Sequence, residues 1–172
     1  MTRRRFIKTS GATALGAAAL KAGESPAPAQ QGKPSPPKTN TRRQEVTTEL
    51  APKPVGPYSQ AMVAGDMIYV AGQGPFNPKT GVIAGQGIAE QTEQTLANIK
   101  AILKAAGATL SDVVKVNVYL TDLGDFAKMN EVYSRYFKGE RDGAFPARAT
   151  IGAKLLANML IEVECVAIKP KR

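Results

Sequence analysis

Two side chains have the type and spacing to do chemistry together. Arg148 stands in Phe145-Pro146-Ala147-Arg148-Ala149-Thr150, and Glu162 follows fourteen residues later in Leu160-Ile161-Glu162-Val163-Glu164. The chain has no histidine, which excludes the Ser-His-Asp triad, the usual general base near neutral pH and the commonest zinc ligand. Chemistry must therefore rest on carboxylates, arginine, tyrosine, hydroxyls and backbone amides. A planar guanidinium takes a substrate carboxylate through two parallel hydrogen bonds, and one glutamate can steer a water; the two suffice for simple hydrolysis. Glu164 alternates onto the same strand face as Glu162, and paired carboxylates raise a pKa. A surface ion pair for the arginine and a solvated face for the two acids fit the same spacing. Cys165, the single cysteine, has no intrachain partner and lies in an alternating strand, where a small buried hydrophobe is expected.

The elements that position these groups begin well inside the chain. Residues 1–29 open with Thr2-Arg3-Arg4-Arg5-Phe6-Ile7-Lys8, continue with a weakly apolar run from Thr9 to Leu20 and end at Ala27-Pro28-Ala29. This is the pattern of a twin-arginine export signal cleaved before Gln30, and it predicts a periplasmic protein. The apolar run is too short for a membrane span and is interrupted by Lys21 and Glu24, so no stable membrane insertion is expected. Residues 30–43, with prolines at 34, 36 and 37, read as an extended linker. Of the formal net charge of +9, these two segments hold all but +1; residues 44–172 carry 14 basic and 13 acidic side chains. A nearly neutral domain argues against a nucleic-acid partner, because phosphate neutralisation supplies most of that affinity. The remaining 129 residues suffice for one domain with one core.

Within that domain the pattern predicts strands over Glu45–Leu50, Ser59–Val63 and Met67–Gly72, the last two forming a hairpin across Ala64-Gly65-Asp66, and a short strand at Val82-Ile83. Ile88, Thr92, Leu96, Ile99 and Leu103 place one apolar stripe on a helix that stops at Gly107. Val114, Val116, Val118 and Leu120 alternate with polar residues in a half-buried strand. Thr121–Asp125 then caps a second helix to about Phe137, with Phe126, Met129, Tyr133 and Phe137 inward. Strands over Ala147–Ala153 and Leu160–Ile168 close the chain. The order β-β-β-α-β-α-β-β predicts an α+β fold, a mixed sheet with two helices on one face. The uncovered face predicts self-association. Gly72 and Gly74 do not form a phosphate loop, since no Lys-Ser/Thr or helix follows directly.

From Val46 to Lys169 the chain resembles the reactive intermediate deaminases, the YjgF or RidA family. The marks are Gly56-Pro57-Tyr58-Ser59-Gln60, Ala71-Gly72-Gln73, Asn77-Pro78-Lys79-Thr80-Gly81, Gln91-Thr92 through Leu96, Asn98 and Ile99, Val114-Lys115 through Tyr119-Leu120, Asp122-Leu123-Gly124-Asp125-Phe126 with Asn130, Pro146-Ala147-Arg148, and Ile161-Glu162-Val163-Glu164. The resemblance implies a chorismate-mutase-like fold and a homotrimer with sites in clefts between subunits. It also implies hydrolysis of 2-imino acids and their enamine tautomers to 2-oxo acids and ammonia, with no metal and no organic cofactor. By position it implies that Arg148 binds the substrate carboxylate, that Glu162 activates water, and that Tyr58 lines the pocket. The Gly72 backbone N–H is expected to receive substrate, with Thr150 and Asn130 as further substrate-binding residues.

Three departures bear on the site. Many members carry Ser where Ala71 stands, and some carry Cys where Thr150 stands. The stretch Lys154–Met159 lacks the usual Leu-Pro and is one residue shorter than in many relatives. Two other functions are compatible with the family: a non-catalytic protein that binds small carboxylates, and the ribonuclease or translation-inhibitor role attached to some relatives. The near-neutral, histidine-free domain weighs against the latter.

Overall fold

The computed structural model describes residues 43–138 and 144–171. The segment expected to be an export signal, and all of the expected linker except Arg43, lie outside the described residues. The order of elements is β1 Arg43–Val46, β2 Ala61–Ala64, β3 Met67–Gln73, α1 Ile88–Ala105, β4 Val113–Leu120, α2 Phe126–Lys138, β5 Ala147–Gly152 and β6 Ile161–Ile168. Short 3₁₀ turns precede β4, α2 and β6. The strands form one sheet ordered β1-β2-β3-β6-β4-β5, antiparallel except for β4 beside β5. This is the expected α+β architecture with a mixed sheet, and both helices lie on one face.

The stripe expected on α1 is buried in full, and Ile102 joins it. Each such Leu or Ile contributes about 1.5–3 kcal/mol by leaving water. The helix starts where the Gly87 N–H donates to Glu90 Oε2 (2.8 Å). It ends before Gly107, whose φ of +81° suits a residue without Cβ. Its apolar side packs on β3 and β6, with α2 alongside. From the sheet Ile68, Val70, Val116, Val118, Ile161 and Val163 face it. The opposite face presents Tyr69, Lys115, Asn117, Tyr119, Glu162 and Glu164 partly exposed, and no element of the described residues covers it.

Four expectations need correction. The first strand runs over Arg43–Val46, not Glu45–Leu50. Beyond it the chain leaves the sheet and wraps the side chain of Gln60, which accepts from the Thr48 N–H (2.7 Å) and donates to the carbonyls of Thr48, Ala51 and Pro52. In β4 it is Val113, not Val114, that faces the core, with Val114 38% exposed; an irregularity between Val113 and Lys115 in the pairing with β6 shifts the alternation by one residue. Phe126 is exposed on the first turn of α2 rather than inward. Val82-Ile83 forms no strand, only a single bridge from Ile83 to Phe76.

Candidate functional site

A cleft of about 600 Å³ brings together Tyr58, Gly72 and Glu162. It exists because β3 breaks register with β6 between Val70 and Gln73, which sets Ala71-Gly72 out of the ladder. Gly72 lets the Glu162 carboxylate approach the backbone: a methyl group in place of its hydrogen would push that carboxylate aside. The Gln73 side chain turns back on this bulge and donates to the Ala71 and Gly72 carbonyls (3.1 and 3.2 Å). Tyr58 is half exposed at the rim, its hydroxyl accepting from the Val55 N–H (3.3 Å).

Glu162 is half-buried, and among the described residues no donor hydrogen-bonds to it. Burial first, and the charge of Glu164 second, push its carboxyl above the ordinary carboxylate range. Glu164, two residues along on the same face, is held differently. Its Oε1 accepts from Asn117 Nδ2 (2.8 Å) and from the Tyr119 hydroxyl (2.9 Å), and that bond is the main reason the Tyr119 phenol is harder to ionise. Cys165, the residue after Glu164, points into the core, and burial drives its thiol up to about 12.

Arg148, Thr150 and Asn130 lie elsewhere. In the parallel pairing Arg148 stands opposite Val116 and Thr150 opposite Val118, so both side chains project on the helix-covered face, away from Glu162. The Arg148 guanidinium rests over the Tyr133 ring (4.5 Å) and the Phe126 ring (5.5 Å). It forms no ion pair among the described residues, which leaves its N–H fork uncommitted. Thr150 Oγ1 is buried without a hydrogen-bond partner. Asn130, half-buried on α2, falls one turn after Phe126 and one before Tyr133, on the flank that carries the two rings. The six residues thus form two groups of three on opposite sides of the sheet.

Three side chains that carry the motifs act as braces. Gln60 holds the loop at Thr48–Pro52. Asn98 Nδ2 donates to the Gly74 and Phe76 carbonyls (both 3.0 Å). Gln91 Oε1 accepts from the Leu160 N–H (2.8 Å). All three amides are buried. Their signal in the sequence was a polar residue on the apolar side of an element, which reads as a brace only when the loop it reaches is known.

The family model for endoribonuclease L-PSP matches residues 48–169. The chain belongs to this family. Among its relatives is a RutC family protein of Pyrococcus horikoshii, 54% identical over 128 residues, which span 74% of this chain and 98% of that protein. The 2-iminobutanoate/2-iminopropanoate deaminase of Escherichia coli is 42% identical over 125 residues, 72% of this chain and 96% of the enzyme. The crystal structure of E. coli TdcF with bound serine superposes with a TM-score of 0.71 at 35% identity, covering 74% of this chain and 99% of that one. The match to the L-PSP family model begins just beyond β1 and takes in both groups of candidate residues.

Proposed function

We propose that the protein is a cofactor-independent hydrolase that converts 2-imino acids and their enamine tautomers to 2-oxo acids and ammonia, acting as a homotrimer. The observation that carries this reading is the division of the six residues. Among the described residues, one side of the sheet offers a glutamate whose carboxylate has no hydrogen-bond donor beside a backbone bulge; the other offers an arginine with no paired anion. Neither group completes a site among the described residues. In a ring of identical subunits, the Arg148 group of one chain faces the Glu162 cleft of the next, and the contact repeats head to tail until it closes. The E. coli relative named as a 2-iminobutanoate/2-iminopropanoate deaminase supports the reaction class.

In the assembled site Arg148 clamps the substrate carboxylate, with Thr150 and Asn130 beside it, and Tyr58 and the Gly72 N–H bracket the imine. A water oxygen bonds to C2 while Glu162 takes one of its protons. That proton passes to the nitrogen. The C–N bond then breaks as Glu162 carries the hydroxyl proton to the nitrogen, so the carbonyl forms and ammonia departs. Glu162 suits this exchange because its raised proton affinity brings it nearer to the groups it serves. The imine is already electrophilic, so positioning and one polarising contact suffice.

Co-expression of Arg148→Ala with Glu162→Gln subunits tests the reading. Each variant alone should lose about 100-fold or more in kcat/KM. Random mixing should restore about one quarter of the parental activity, because one interface in four pairs an intact arginine with an intact glutamate. Mixed oligomers no more active than either variant would refute a shared site. Binding without turnover is a second reading, favoured by the TdcF complex with serine; thermal stabilisation by 2-oxo acids with no imine turnover would select it.

We further propose that residues 1–29 direct export by the twin-arginine route to the periplasm, that residues 30–43 form a linker, and that the catalytic domain spans residues 44–172. Cell fractionation should find the protein outside the cytoplasm, and Arg3→Lys with Arg4→Lys should retain it inside; equal export of the double variant would reject this route.

A further inference from the structure

The walls of the Glu162 cleft differ in chemistry from its mouth. Gly74 has no side chain, and in the space a methyl would take, the Phe76 ring edge and the Met159 sulfur come together. This apolar floor lies two residues beyond Gly72, roughly 7 Å away at strand spacing. Asn98 fixes it by gripping the Gly74 and Phe76 carbonyls. Leu156 and Ala157 also line the cleft. Ala157 (φ 51°) and Asn158 (φ 59°) take consecutive left-handed conformations, an uncommon reversal for residues with a Cβ, and they bring the small Ala157 side chain rather than a bulky one to the cleft.

The polar side chains of these walls are already engaged. Gln60 makes four hydrogen bonds to the loop it braces, Gln73 bonds to Ala71 and Gly72, and Asn77 Oδ1 accepts from the Lys79 and Thr80 N–H groups. Lys53 is exposed and paired with Glu49 (3.3 Å). A hydroxyl, amide or carboxylate on the substrate side chain would leave water for a floor of ring carbon and thioether. A methyl would leave most of the cleft empty.

We infer that this cleft selects 2-imino acids with bulky apolar side chains, branched aliphatic or aromatic, over those with small or polar ones. The inference rests on the imine-hydrolase reading for its reaction and on the cleft walls for its selectivity. It makes Phe76, Leu156, Ala157 and Met159 specificity-determining residues. Burying one methylene is worth about fourfold in affinity, so a four-carbon branched side chain should gain at least about tenfold over a methyl even with imperfect packing.

The test uses the full chain in two arms. In the first, an amino-acid oxidase generates imines in situ from leucine, phenylalanine, alanine or serine, and oxo-acid release is followed. The leucine- and phenylalanine-derived imines should exceed the alanine- and serine-derived ones about tenfold or more in kcat/KM, and Leu156→Asp, at a largely exposed position, should collapse the ratio. In the second, calorimetry compares 4-methyl-2-oxopentanoate with pyruvate, and the branched acid should bind about tenfold tighter. Turnover without side-chain preference would overturn the inference and leave the hydrolase reading intact. A binding preference with no turnover on any imine would do the reverse. Equal binding of the two oxo acids would overturn the inference whatever the turnover.

Discussion

A half-buried carboxylate that no donor among the described residues reaches is costly to ionise, and the cost has a measurable sign at Glu162. In the unfolded chain this carboxyl titrates near 4.5, and in the folded one it titrates higher, first through burial and then through the charge of Glu164. The folded state therefore holds its proton more tightly, and stability falls as pH rises from the unfolded value through the folded one. Glu162→Gln removes that loss. The variant should melt at a higher temperature than the parent near neutral pH, with the difference vanishing under acid conditions below about pH 4, even as its activity falls. A lower melting temperature at neutral pH would show that Glu162 stabilises the fold. Gly72→Ala probes the same spot from the backbone side: it should cut kcat/KM about tenfold or more by displacing the carboxylate, while circular dichroism stays that of the parent. The sequence made Arg148 and Glu162 legible as chemistry, but not as residents of opposite faces. Alternation assigns two faces to each strand; which face of β5 receives Arg148 depends on its parallel register with β4, and that is set by the crossover through α2.

The helices were the most legible elements, because a stripe spaced at three and four residues has one physical reading. The strands were less so wherever a ladder is interrupted. Val114 looked inward because the alternation from Leu120 was carried through an irregularity that nothing local announces. The strand expected to reach Leu50 gave way to a loop held by one distant amide, Gln60. Asn98 plays the same part for the cleft floor. Asn98→Ala would leave the Gly74 and Phe76 carbonyls without their donors, and denaturant titration should show a loss of about 1–3 kcal/mol, accompanied by weaker binding of bulky oxo acids. The loop before β6 makes the opposite prediction. Ala157→Gly relieves a left-handed conformation that costs an L-residue about 1–2 kcal/mol, offset in part by glycine's looser unfolded chain, so a gain of up to about 1 kcal/mol is expected. No gain would mean that the loop's contacts, rather than its backbone, set the conformation.

For the molecule as a whole, the bare sheet face is the feature that a single chain leaves unresolved. It mixes Tyr69 and Val166 with Lys115, Asn117 and Glu164, a blend suited to a subunit contact that buries some polar groups with their partners already in place, as Glu164 is. Light scattering on the purified protein should give the mass of three chains at micromolar concentration, and a monomer would argue against the intersubunit site. The burial of Cys165 has its own consequence. Its thiol, pushed up to about 12 and turned into the core, is the sole one in a chain without histidine. Peroxide, soft metal ions and thiol-alkylating agents, which poison so many enzymes through thiolate or imidazole, find neither in this cleft.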